Sequence, residues 1–199
     1  MTSDLYGLVL AGGKSARMGR DKGLLDYHGR PQREWLADLL AIYCSRVFVS
    51  VRSGQVESEF DGDDFTFLED LPEFGNHGPI GALLTAQAAH PNHAWLVVSC
   101  DLPFFDQTAI ACLLRHRAPG SPATAFINHE IDRPEPLSTI YEPGFMNALP
   151  AAFAAGANSM MRILHTLPDV SRVIEYDPLW IMSADTPEAF DAALQRLRD

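Results

Sequence analysis

Residues 94–100 read AWLVVSC, the most apolar stretch of the chain. So short a run, with no alternation of polar and apolar side chains, must be covered on both faces when folded. That is the position of a central strand in a mostly parallel sheet. The flanking sequence supplies both neighbours and cover. Further strands are expected at 5–11 (LYGLVLA), 47–51 (VFVSV) and 65–68 (FTFL), and later at 123–127, 137–141 and 172–176. Helices are expected at 31–43, where apolar side chains recur at 35, 36, 39, 40 and 43, and at 78–90, opening on Pro79. Four more fall at 106–117 with Asp106 as N-cap, near 144–155 and 158–166, and near 187–197 behind Thr186-Pro187. Alternating strands and helices indicate an α/β fold: one Rossmann-like, three-layer domain spanning 1–199, with a mostly parallel twisted sheet flanked by helices. Residues 120–145 break the alternation and are expected to carry antiparallel strands or a substrate lobe.

Composition narrows the partners. Twenty-six acidic against 15 basic residues give a formal net charge of −11, which disfavours a general nucleic-acid or membrane-surface binder. Small anions remain allowed wherever basic side chains cluster. Cys44, Cys100 and Cys112 are odd in number, well separated and set among apolar residues. They read as buried reduced thiols, neither a disulfide framework nor a zinc site. No run approaches about 18 uninterrupted apolar residues, and no signal peptide is visible at the N-terminus. A cytoplasmic protein is the expectation. Trp35, Trp95 and Trp180 read as core or interface residues, and His77 as solvent-facing.

Three features bear on chemistry, and each follows an expected strand. The first strand runs into Gly12-Gly13 and then a polar loop carrying Arg17 and Lys22. Glycines let a backbone approach a ligand closely, successive N–H groups form an anion-binding nest, and the two cations can neutralise phosphate. The loop is neither GxxxxGK[ST] nor GxGxxG, which removes the P-loop and the dinucleotide-binding readings. Second, Asp101 ends the most apolar strand in Ser99-Cys100-Asp101-Leu102-Pro103, where a carboxylate can hold Mg²⁺ beside phosphates. Third, Asp70 follows 65–68 and leads into the glycine-rich helix entry Gly75-Asn76-His77-Gly78-Pro79-Ile80-Gly81. Ligands in open α/β sheets sit beyond the carboxyl ends of the strands, so the three features converge on one nucleoside-triphosphate site. The chemistry implied is nucleotidyl transfer, in which an acceptor phosphate attacks the α-phosphate and pyrophosphate leaves.

The run LAGGKSARMGRDK (10–22) resembles the L-A-G-G-x-S-x-R-M-G-x-D-K signature of molybdenum cofactor guanylyltransferases, within the sugar-nucleotide pyrophosphorylase-like nucleotidyltransferases. The resemblance continues through Asp70, GPIGALL (78–84) and CDLP (100–103), and weakens after about residue 110. It implies the nucleotide-diphospho-sugar transferase-like fold. It implies that Leu10, Ala11, Gly12 and Gly13 surround the nucleotide, that Lys22 contacts the phosphates, that Asp70 lies in the nucleotide site, and that Asp101 binds Mg²⁺. The implied reaction joins GTP to molybdenum-bound molybdopterin, giving the guanine dinucleotide cofactor and pyrophosphate. Transient contact with molybdoenzymes or cofactor-biosynthesis proteins would follow. Related cytidylyltransferases read L-A-A-G where this chain has L-A-G-G, which favours GTP.

The chain departs from the family in two places. Ser50-Val51-Arg52-Ser53 stands where an asparagine often helps to read guanine, and Ser183-Ala184-Asp185-Thr186-Pro187-Glu188 replaces N-x-N-T-P-E, a segment the family associates with the pterin side. The segment Arg133-Pro134-Glu135-Pro136-Leu137 reads as a proline-braced loop bordering the acceptor. A cytidylyltransferase, a sugar-phosphate nucleotidyltransferase or a non-catalytic cofactor-delivery protein remain the alternatives.

Overall fold

The computed structural model describes residues 5–12, 21–54 and 65–198. Gly13 and Arg17 lie outside the described residues. Among the described residues seven strands form one sheet: β1 (Leu5–Leu10), β2 (Arg46–Val51), β3 (Thr66–Glu69), β4 (Ala94–Ser99), β5 (Ala123–Asn128), β6 (Arg133–Tyr141) and β7 (Ser171–Val173). Their order across the sheet is β3-β2-β1-β4-β6-β5-β7. β1, β2, β3 and β4 pair in parallel. β6 runs antiparallel to β4 and β5, and β7 pairs in parallel with β5. β6 alone therefore opposes the other six strands. β4 sits at the centre, as its unbroken apolar run requires, and all six of its residues are buried.

The helices are α1 (Gln32–Ala41), α2 (Pro79–Ala89), α3 (Gln107–His116), α4 (Pro143–Ala154), α5 (Met160–Thr166) and α6 (Pro187–Arg198). Period-2 alternation along the strands divides the core in two. One face gathers Val9, Val49, Leu96 and Val98 under Leu36 and Leu40 of α1 and Ile110 and Leu113 of α3. The other gathers Leu8, Phe48, Trp95 and Val97 under Leu83 and Leu84 of α2, Phe145 and Leu149 of α4, and Leu164 of α5. This is the expected three-layer arrangement. All three cysteines are free and buried. Trp95 is fully buried, Trp35 and Trp180 pack against the first face, and His77 is exposed. Among the described residues no helix is long and apolar enough to cross a membrane.

Two expectations shift. The segment 133–137 is the start of β6, where the sequence suggested a loop. Pro134 and Pro136 deny the ladder two N–H donors, and the register with β5 slips between Ala125 and Ile127 to absorb the difference. The last strand is also shorter than the apolar pattern suggested, closing at Val173. Two short 3-10 helices, Lys22–Leu24 and Pro178–Ile181, are too brief to leave a periodic signature.

Candidate active site

Register brings the carboxyl ends of four strands to one edge. Leu10 of β1 pairs with Ser50 of β2 on one side and Ser99 of β4 on the other, and Val51 pairs with Glu69 of β3. Between β1 and β4 the chain's winding reverses, β2 and β3 going one way and the later strands the other. A crevice opens beyond the strand ends at such a reversal. Its volume is about 320 Å³, within the range of small-molecule sites. Leu10, Ala11 and Gly12 form its floor, Ser50, Arg52 and Asp70 one wall, and Lys22 and Asp101 the other, with Gly78 and Pro79 at the mouth of α2.

Each wall is fixed by local hydrogen bonds. Beyond β1, the Ala11 N–H donates to Ser50 O at 3.0 Å and the Cys100 N–H to Leu10 O at 3.2 Å, so the floor is pinned from both sides. A Cβ on Gly12 would come within 3.2 Å of the Arg52 nitrogen, so a side chain there would have to push the β2 exit away by a few tenths of an ångström. The Asp70 N–H donates to Val51 O, extending the β2–β3 pairing by one residue. The Asp70 carboxylate accepts from the Ser50 hydroxyl at 3.2 Å. Burial pushes this carboxyl above the usual aspartate range, and the Ser50 hydroxyl partly opposes the shift. At the entry to α2, Asn76 and Gly78 both take positive φ (69° and 61°), the conformation that lets the loop turn directly into Pro79.

The opposite wall carries the charge. Lys22 opens a 3-10 turn capped by Asp21, whose side chain accepts from the Gly23 N–H at 2.9 Å. The Lys22 ammonium donates to Asp101 Oδ2 at 3.2 Å and to Asp185 Oδ1. Asp185 arrives there because the Ala184 N–H donates to the Asp101 carbonyl at 2.8 Å. Behind it, α6 packs on the Lys22 loop through Leu25, Tyr27, Ala184 and Ala193, with Tyr27 and Phe190 ring centroids 4.9 Å apart. Burial alone would lower the Lys22 pKa, but Asp185 and Asp101 outweigh it and hold the amine above its ordinary value, so it stays cationic. Asp101 Oδ1 is buried and has no hydrogen-bond partner among the described residues, and the Tyr27 hydroxyl is in the same position. Among the described residues no group of three or more His, Cys, Asp or Glu side chains is arranged to hold a metal. Asp101 and Asp185 form a pair.

Residues 7–173 match the MobA-like NTP transferase domain. The chain belongs to that family. A cyanobacterial relative from Synechocystis, a "Molybdenum cofactor biosynthesis bifunctional protein", is 35% identical over 94% of this chain and 52% of its own length. The chain thus spans about half of that relative. A "Molybdenum cofactor guanylyltransferase" from Ectopseudomonas mendocina is 28% identical over 94% of this chain and 90% of its own. The crystal structure of "Molybdopterin-guanine dinucleotide biosynthesis protein A" from Archaeoglobus fulgidus superposes with a TM-score of 0.73 at 20% identity, covering 97% of this chain and 98% of that one. The fold is that of the nucleotide-diphospho-sugar transferases.

In this MobA-like NTP transferase, Leu10, Ala11, Gly12, Lys22, Asp70 and Asp101 all line the one crevice. Leu137 of the proline-braced segment lines it too, while Arg133 is exposed and pairs with Asn128 at the far end of the β5–β6 ladder. Sequence reasoning missed Ser50 and Arg52 as crevice residues, and missed Asp185 as the second carboxylate on Lys22. The departures Ser50-Val51-Arg52-Ser53 and Ser183-Ala184-Asp185 were the available signal.

Proposed function

We propose that the protein is a Mg²⁺-dependent guanylyltransferase that transfers GMP from GTP to molybdenum-bound molybdopterin, forming the guanine dinucleotide cofactor and pyrophosphate. The observation that carries this reading is one crevice with Asp70 at one wall and Lys22 and Asp101 at the other, Lys22 being gripped from behind by Asp185. Asp70 is the base end. An ionised carboxylate only accepts hydrogen bonds, and guanine presents two adjacent donors, N1–H and the 2-amino group. Cytosine offers a donor beside an acceptor, which suits Asp70 less well.

The other wall is the phosphate end. Floor backbone at Ala11 and Gly12 approaches the phosphates closely, and Gly13 and the Arg17 charge, set in the same glycine loop, serve the same task. Lys22 offsets charge on the transferring and leaving phosphates. The residues fit a divalent cation: Asp101 keeps one buried oxygen unpartnered, and Mg²⁺ commonly binds one or two carboxylates together with substrate phosphates. Asp101 would hold it, with Asp185 beside it. When bound, the ion supplies charge neutralisation at the triphosphate. An acceptor phosphate oxygen attacks the α-phosphorus, the bond from that phosphorus to the bridging oxygen breaks, and pyrophosphate carries away the electron pair. No protein nucleophile takes part. The chain's work is to align acceptor and triphosphate and to hold charge at fixed positions.

A cytoplasmic setting and transient docking with molybdoenzymes or cofactor-biosynthesis proteins accord with three reduced buried thiols and with the nature of the product. Pyrophosphate release, measured with Mg²⁺ and each of GTP, CTP, ATP and UTP, with and without molybdopterin, tests the reading. Release with GTP only, and only with acceptor, is expected. Release with CTP or with a sugar phosphate would keep the fold and change the reaction, and binding without release would leave a delivery protein.

A further inference from the structure

Lys22 stands between carboxylates drawn from distant parts of the chain, 79 and 163 residues away. All three side chains are partly buried, with 20% of Lys22, 15% of Asp101 and 30% of Asp185 exposed. Two carboxylates this close repel each other, and the ammonium relieves that repulsion. The function proposed above asks something different of the same groups. It places the lysine on the triphosphate and a divalent cation on the carboxylates. A divalent cation binds hard oxygens at about 2.1 Å, so an ion on Asp101 Oδ2 and Asp185 Oδ1 would crowd the ammonium that hydrogen-bonds the same two atoms. Like charges at such a distance in a half-buried site repel strongly, so the two compete for the carboxylate pair.

We propose that Lys22 and the divalent cation exchange at the Asp101–Asp185 pair, the ammonium occupying the metal position in the nucleotide-free protein and moving to the triphosphate as the metal enters. The inference rests on the nucleotidyltransferase reading. Its components are already placed for the exchange. The Ala184 N–H to Asp101 carbonyl bond and the packing of α6 on the Lys22 loop hold the backbone that carries both carboxylates whether or not the lysine lies between them. Asp101 Oδ1 has no partner while Lys22 engages Oδ2, so a first metal contact can form before the lysine departs. Lys22 is the mobile partner, a single charge on a long flexible stem.

Metal and nucleotide binding are then coupled with positive sign. The triphosphate offers the displaced ammonium a new anionic partner and offers the metal further oxygens. By linkage, each ligand must favour the other by the same factor. A lysine that only touched phosphate would behave differently: its loss would weaken nucleotide binding and leave the metal affinity of the nucleotide-free protein unchanged.

The test is a titration of the full chain with Mn²⁺, followed by electron paramagnetic resonance, on wild type, Lys22→Met, Lys22→Arg and Asp101→Asn. Each is measured without nucleotide and with a non-hydrolysable GTP analogue. Without nucleotide, Lys22→Met is expected to bind Mn²⁺ about tenfold or more tightly than wild type, because two carboxylates lose their internal cation. Lys22→Arg, which keeps the charge, is expected to stay weak, and Asp101→Asn to lose the site in both conditions. With the analogue, wild type is expected to tighten and its gap to Lys22→Met to close. Unchanged or weaker Mn²⁺ binding by nucleotide-free Lys22→Met, with Asp101→Asn still losing the site, would overturn the exchange and leave the proposed function standing. If Asp101→Asn binds Mn²⁺ as wild type does with the analogue present, the assignment of the metal to Asp101 fails first and the exchange fails with it.

Discussion

Asp70 and Asp101 are both aspartates at strand ends, yet their surroundings give them different work. Asp101 meets a cation and keeps a buried oxygen without a partner, whereas Asp70 meets a neutral hydroxyl and a low-dielectric wall. Asp101→Asn is expected to lower kcat for pyrophosphate release by about 10² or more, the scale for removing a charged group that acts on the developing transition state, with little change in the melting temperature. Asp70→Asn is expected to act on KM for GTP, raising it about tenfold or more by turning one acceptor against guanine's donors, with kcat largely kept. Only ionised Asp70 accepts from both donors, and burial raises its pKa. The acid limb of kcat/KM for GTP should therefore begin at a higher pH than an ordinary aspartate would produce, and should vanish in Asp70→Asn. Both aspartates stood out in the sequence because each lies at the end of an expected strand, Asp101 directly after 94–100 and Asp70 separated by one residue from 65–68. Asp185 did not. It precedes a helix like any polar cap, and only the backbone bond from Ala184 to Asp101 carries it across the fold to Lys22.

At the scale of elements, apolar periodicity gave every α-helix and strand to within a few residues, because each buries a continuous face, and missed the two 3-10 turns. It failed where backbone chemistry governs instead. The prolines at 134 and 136 look like a loop in sequence, yet the register slip opposite them lets β6 begin at Arg133. The α2 entry depends on similar detail. A Cβ at Gly81 would lie 2.2 Å from the Phe74 carbonyl oxygen, so Gly81→Ala must push the 71–78 loop away from the helix. That change is expected to cost about 3 kcal/mol, the upper end for overpacking, in urea denaturation. Between α3 and α4, Arg117 grips buried Glu142 with two hydrogen bonds, Nε to Oε1 at 2.7 Å and Nη2 to Oε2 at 3.1 Å. Arg117→Ala leaves a buried carboxylate without its cation and is expected to cost roughly 3–5 kcal/mol, read by the same denaturation curve.

Across the whole molecule, the sheet's reversal between β1 and β4 gathers residues from the first quarter and the middle of the chain into one crevice, and Asp185 near the chain's end reaches Lys22 at its wall. The position of β4 follows from the sequence, and the opposing direction within 120–145 is one of the two readings its broken alternation leaves open. The strand order beyond β4 does not follow, since no local pattern states which later strand pairs with it. The antiparallel β6 also carries Glu135, whose carboxyl burial raises to about 7, against the Leu137 N–H that opposes the shift and with help from the field of Asp101. In the folded protein Glu135 therefore holds a proton between its unfolded value and about pH 7 that the unfolded chain has released. Its stabilising contribution is complete below the unfolded value and is lost as pH rises through 7. Glu135→Gln should raise stability relative to wild type by on the order of 2 kcal/mol more at about pH 8 than at about pH 5.5, measured as paired thermal melts.

The most direct measurement of the central claim follows the α-phosphate itself. GTP labelled at that position is incubated with molybdopterin, Mg²⁺ and either wild type or Asp101→Asn. The account predicts that wild type moves the label from GTP to the pterin with one pyrophosphate released per transfer, that labelled CTP gives little transfer, and that Asp101→Asn gives almost none. Label that stays in GTP with wild type, or that moves equally well from CTP, would contradict it.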